Sequence, residues 1–210
     1  MSPMALRIGV VSNGLGNVGS VISALSFYGY EVDLLSDPSC ADRFSLLVLS
    51  GVGTYGAAVK AVKELRMWDL LCSWKDRGLP VVGICLGMQL FASVGEEEGE
   101  NRGFDWIPGR VCRMEGVRVP HMGWDMVTPS GREEAEQIFK GVRYGAFYFM
   151  HTYHFQVYSE EHVLARFDCG GKSFVAAVAR DNVMGFQFHP EKSQGDGLRV
   201  LRSAVEVLCR

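Results

Sequence analysis

The sequence predicts a doubly wound α/β fold, with a mostly parallel sheet, flanking helices and additional strands in the second half. Three observations carry this. Short, wholly apolar segments recur in the N-terminal half, as parallel strands buried on both faces require. Segments with helical spacing separate them, which gives strand–helix–strand order. The chain has 210 residues, 48% hydrophobic and 21% charged, enough for one sizeable α/β core.

Taken in order, Leu6 to Ser12 reads as a buried strand and Val18 to Tyr28 as the helix that follows. Tyr30 to Leu35 and Ser45 to Leu49 are the next strands. Tyr55, Val59, Val62 and Leu65 then recur at helical spacing. Leu79 to Ile84 is a further strand and runs into a helix over Leu86 to Val94. Five extended segments follow: Arg110 to Met114, Gly145 to Val157, Val163 to Phe167, Ser173 to Ala179 and Val183 to His189. A last helix places Leu198, Leu201, Val205 and Leu208 on one face. The acidic run Glu96-Glu97-Glu98-Gly99-Glu100-Asn101 is the most loop-like stretch, but it lies too near a helix end to divide the chain. A single domain over 1–210 is expected.

Bulk properties exclude several functions. A net charge of -3 offers no basic field to nucleic acid or to an anionic membrane. The first apolar run is too short for a signal-peptide core or a membrane span, so a cytosolic protein is expected. Cys40, Cys72, Cys85, Cys112, Cys169 and Cys209 are scattered without a Cys-x-x-Cys pair. Most of them read as small buried apolar residues in a reducing compartment, with Cys85 the exception.

Gly83-Ile84-Cys85-Leu86-Gly87 lies where a buried strand turns into a helix. Small residues flanking a nucleophile in a sharp strand-to-helix turn form a nucleophile elbow, and the helix start favours the thiolate and supplies backbone N–H donors. The bare pattern fits a buried structural cysteine equally well. Gly185-Phe186-Gln187-Phe188-His189-Pro190-Glu191 closes the last strand. In extended chain His189 and Glu191 project to one face, and Pro190 stiffens the link and keeps the chain from continuing as helix. A carboxylate that fixes an imidazole is what a thiol nucleophile needs, and the carboxyl ends of parallel strands share one sheet edge, so Cys85 and His189 can meet there. Alone, the second motif fits a surface His–Glu pair; together the two point to a Cys–His–Glu triad.

The segments Gly83-Ile84-Cys85-Leu86-Gly87-Met88-Gln89 and Phe188-His189-Pro190-Glu191 resemble the paired signatures of the class I (triad-type) glutamine amidotransferases. Within that family, Pro120-His121-Met122-Gly123-Trp124 is similar to a motif of the glutaminase subunits of imidazole glycerol phosphate synthase. Phe149-Met150-His151-Thr152-Tyr153, Gly51-Val52-Gly53 and Pro190-Glu191-Lys192-Ser193-Gln194 share that likeness. The resemblance implies that Cys85 attacks glutamine, that His189 moves the protons and that Glu191 orients His189. It further implies an oxyanion hole at Val52, Gly53 and Leu86, and glutamine contacts at Gln89, Glu97, Thr152 and Tyr153. Asn17, His121, Met122, Gly123, Trp124 and Lys192 would face a partner. In the family that partner is a (β/α)₈-barrel cyclase, which this chain is too short to contain. No cofactor and no metal are expected.

Two residues depart from the family pattern. Ser50 stands where proline usually precedes the Gly-Val-Gly loop, which predicts an oxyanion strand freer to flip its peptide. Asn13 replaces a frequent aromatic and bears on the contact near Asn17. Three rival readings remain. Gly14-Leu15-Gly16-Asn17-Val18-Gly19, with Asp33 and Asp37 downstream, fits a dinucleotide-binding oxidoreductase but leaves Cys85, His189 and Glu191 without work. A non-enzymatic interaction subunit would not need all three triad types. The same glutaminase could instead feed a different acceptor, as in surface-sugar amination. His151 and His154 lack a ligand cluster and point to opposite faces if they share a strand, and Trp68, Trp74 and Trp106 read as packing residues.

Overall fold

The computed structural model describes residues 6–11 and 18–210. Its first half comprises β1 (Arg7–Val11), α1 (Val18–Ser26), β2 (Glu31–Leu35), β3 (Leu46–Gly51), α2 (Tyr55–Glu64), α3 (Met67–Asp76), β4 (Val81–Cys85) and α4 (Leu86–Gln89). Then come β5 (Val94–Gly95), β6 (Asn101–Arg102), β7 (Gly109–Arg113), β8 (His121–Pro129), α5 (Glu133–Ile138), β9 (Ala146–His151) and β10 (Tyr153–Val157). The chain closes with β11 (Val163–Cys169), β12 (Lys172–Arg180), β13 (Val183–Phe186) and α6 (Gln194–Leu208).

One nine-stranded sheet, ordered β2-β1-β3-β4-β13-β12-β11-β8-β9, forms the frame. It is parallel from β2 to β13 and antiparallel beyond. The parallel half is doubly wound, and β3 shows why its sequence is continuously apolar. Leu46 and Val48 enter the core shared with α1 and α6, whereas Leu47 and Leu49 enter the core shared with α2 and α3. A smaller sheet, β10-β7-β5-β6, packs beside it. The acidic run becomes the tip of the β5–β6 hairpin, where Glu98 and Gly99 take positive φ.

Several elements differ from the sequence expectation. The helix after Cys85 is a single turn, Leu86–Gln89, rather than Leu86 to Val94. The predicted strand Gly145 to Val157 is two strands, and the chain changes sheets at Thr152. The elements α3, β5, β6, β8 and α5 are additional to the sequence expectation. Among the cysteines, only Cys85 is buried; Cys40 is exposed and the other four are half-buried. Trp74 and Trp106 are buried, and Trp68 and Trp106 both stack on Phe104, so all three tryptophans serve packing.

Candidate active site

Cys85 ends β4 and caps α4 with φ 54° and ψ −111°, a strained conformation for a residue with a Cβ. The flanking glycines make that turn possible. A Cβ at Gly87 would lie 1.8 Å from the Leu49 carbonyl oxygen, and one at Gly83 would lie 2.6 Å from the Phe91 ring. The elbow therefore packs directly against β3. Because α4 is one turn long, the support it lends a thiolate comes from its free N–H groups and not from a long helix dipole.

β13 pairs with β4 in parallel, Gly185 opposite Gly83 and Phe186 opposite Ile84, so the segment after β13 emerges beside Cys85. His189 Nδ1 donates to Glu191 Oε1 at 2.9 Å, and both side chains are 4% exposed. The two residues are not joined by extended chain. Pro190 begins a 3₁₀ turn, Pro190–Lys192, at the helical position where a missing N–H costs nothing. Ser193 Oγ donates to the His189 carbonyl at 2.7 Å and accepts the Tyr148 N–H at 2.9 Å, tying this turn to β9.

Burial alone would lower the pKa of His189; the Cys85 sulfur and the Glu191 carboxylate overcome it and raise the value to about 10. The ring thus favours the imidazolium beside the sulfur. Its Nε2 completes no hydrogen bond in the resting geometry, as catalytic contacts often do only once substrate is bound.

A cavity of about 220 Å³ opens at the sulfur. Val52, Gly53, Cys85, Leu86, Gln89, Glu97, Pro120, Met150, His151, Thr152 and Tyr153 line it. Every residue expected in the oxyanion hole or against glutamine is therefore brought together at one site. Gly53 adopts φ 106°, in a region that favours glycine. Glu97 accepts the Tyr55 N–H at the start of α2 at 2.8 Å, and burial pushes its carboxyl pKa up.

The expected partner face is only partly as predicted. Met122, Trp124 and Met126 alternate outward along β8, with Met122 60% and Trp124 47% exposed. Their register partners Met150 and Tyr148 share that face; Met150 lines the cavity and Tyr148 packs 6.0 Å from Trp124 and 6.4 Å from His189, centroid to centroid. Lys192 is exposed and Gly123 half-buried. His121 is a correction: it is buried on the opposite face of β8. Its Nε2 meets Asp125 Oδ2 at 2.5 Å and its Nδ1 lies 3.2 Å from His151 Nε2. Asn17, Asn13 and Gly14 to Gly16 lie outside the described residues.

His151 and His154 do not share a strand; His151 borders the cavity while His154 lies 3.4 Å from Cys112 in the smaller sheet. The acidic residues of the dinucleotide reading are already engaged. Asp33 accepts from Arg7 at 3.1 Å, and Asp37 caps a turn through the Ser39 N–H at 2.9 Å. Sequence reasoning assigned no role to Gln187, which is fully buried with its Nε2 3.7 Å from the Cys85 sulfur. The available signal was its place two residues before His189, on one face of an extended segment.

Comparison with known proteins agrees with this geometry. The family model described as glutamine amidotransferase class-I matches residues 10–206. The imidazole glycerol phosphate synthase subunit HisH of Archaeoglobus fulgidus is 42% identical, covering 97% of this chain and 100% of its own. The protein of the same name from Aquifex aeolicus is 39% identical over 94% of this chain and 95% of its own. Among solved structures, PurLQS from Thermotoga maritima matches with a TM-score of 0.74 at 19% identity, covering 98% of this chain and 100% of that one. A structure titled glutamine amidotransferase gives 0.72 at 21% identity, covering 96% and 98%. These last two bear on the fold alone. With nearly its whole length matched, the chain belongs to the class I glutamine amidotransferase family.

Proposed function

We propose that the chain hydrolyses glutamine to glutamate and ammonia through Cys85, His189 and Glu191. The observation that carries this reading is the buried His189–Glu191 pair, set against a strained cysteine in the wall of a cavity of about 220 Å³. The Cys85 sulfur attacks the side-chain carbonyl carbon, the C–N bond breaks, and the His189 proton leaves with the nitrogen as ammonia. Water, deprotonated by His189, then displaces the sulfur from the thioester and releases glutamate. The N–H groups of Leu86 and of the Val52–Gly53 loop hold the oxyanion, while Gln89, Glu97, Thr152 and Tyr153 hold the amino acid.

Ammonia released into neutral water is mostly protonated and no longer nucleophilic, so it needs a shielded acceptor. The exposed apolar row Met122, Trp124 and Met126, with Lys192 nearby in the fold, supports a docking partner over this site. The 39–42% identical relatives are named as subunits of imidazole glycerol phosphate synthase, which supports a complex that makes imidazole glycerol phosphate in histidine biosynthesis; by the family resemblance the partner is a barrel cyclase. The test is glutamate release by the purified chain and by its Cys85→Ala variant, alone and co-expressed with that cyclase and its ligand. Unchanged release by Cys85→Ala would end the triad reading. Absence of any stimulation by the cyclase would redirect the search to another acceptor.

A further inference from the structure

The surroundings of the Cys85 sulfur contain a second polar side chain besides His189. Gln187 Nε2 lies 3.7 Å from it, and the Met150 carbonyl oxygen lies 3.9 Å away. The two contacts act in opposite directions. A carbonyl oxygen favours the protonated thiol, whereas an N–H donor favours the thiolate.

The direction of the Gln187 amide is fixed by a chain of contacts that begins at the backbone. The Tyr153 carbonyl can only accept, so Gln89 presents its amide nitrogen there, at 2.9 Å. The second N–H of that nitrogen goes to Gln187 Oε1, at 3.0 Å. Gln187 therefore turns its own NH₂ group toward the sulfur, and reversing it would face its NH₂ against that of Gln89. With the side chain fully buried, no water competes for the position.

We propose that Gln187 is a catalytic residue that donates a hydrogen bond to the Cys85 thiolate and holds it ionised. The relay Tyr153–Gln89–Gln187–Cys85 also gives Gln89 two tasks, one at the cavity wall and one in aiming the donor. This inference rests on the glutaminase reading for its meaning in turnover, but the contact itself concerns the thiol alone.

The experiment is the rate of Cys85 alkylation by iodoacetamide as a function of pH, in the full chain, with mass-spectrometric assignment to Cys85. Gln187→Met keeps the volume and removes the donor, so the alkylation midpoint should rise by about one pH unit and the neutral-pH rate fall about tenfold. Gln187→Glu serves as a second variant, because it keeps an acceptor for Gln89. It offers the sulfur no amide N–H, so the midpoint should again rise. A wild-type midpoint in either folded variant would overturn the proposal. Glutamate release by the wild-type chain, measured in parallel, reports separately on the glutaminase reading.

Discussion

The imidazole of His189 and the carboxylate of Glu191 meet at 2.9 Å inside a one-turn 3₁₀ segment, with neither side chain open to solvent. The pair is a local structure, formed within three residues. Its position against Cys85 is long-range and depends on β13 lying beside β4.

Glu191→Gln keeps the shape and removes the charge. Burial then meets less opposition, so the pKa of His189 falls from its raised position of about 10. The alkaline limb of glutamate release should move toward neutrality, with kcat reduced about 10²-fold and KM little changed. For stability the sign is that of a raised histidine: the contribution is full below the unfolded value of 6.5 and is lost as pH rises through about 10. NMR titration of His189 in both proteins checks the shift directly.

His151 behaves in the opposite sense. Burial drives its pKa down to about 3, although its Nδ1–H donates to the Tyr153 carbonyl at 2.8 Å and would otherwise favour the cation. Its ring should stay neutral in NMR titrations to well below pH 5. The unfolded chain takes up this proton near 6.5, so stability should fall as pH drops from 6.5 toward 3. A ring titrating near 6.5 in the native protein would contradict the buried arrangement.

Gly87→Ala should be among the most damaging small substitutions. Its Cβ would sit 1.8 Å from the Leu49 carbonyl oxygen, which is backbone and cannot rotate aside. A loss of at least about 3 kcal/mol is expected in denaturant unfolding, because β3 or the elbow must shift. Any folded remnant should have lost glutamate release, since the shift displaces Cys85.

Trp124→Ala separates docking from folding. The side chain is 47% exposed on β8, so the isolated chain should change by only about 0.5–1 kcal/mol in unfolding experiments. Binding to the proposed cyclase partner, measured by calorimetry, should weaken by about 2 kcal/mol or more. An unaltered affinity would move the docking face elsewhere.

The parallel strands were legible because both faces of β3 and β4 are buried, which leaves no polar residue to blur the pattern. The same completeness misled the reading after Cys85. Leu86 to Ala92 is buried throughout, so its apolar run carried no mark of where the helix stops. The break at Thr152 was invisible for a related reason: extended alternation continues while the chain passes from one sheet to another. β8 escaped notice because its outward residues, Met122, Trp124 and Met126, are as apolar as core residues. At α3 the preceding break is Arg66 at φ 56°, a left-handed turn made without glycine. Cys85 and the His189–Glu191 pair were legible as candidates because each sits on a short local motif. The Gln89–Gln187 relay was not, since its two amides are 98 positions apart and only the finished sheet brings them together.

Because β13 slots between β4 and β12, His189 reaches Cys85 only when the sheet closes at its centre. A chain emerging from the ribosome carries its cysteine long before it has an imidazole to partner it. With the proposed triad, glutamine cleavage is expected only from chains in which the middle of this sheet has formed.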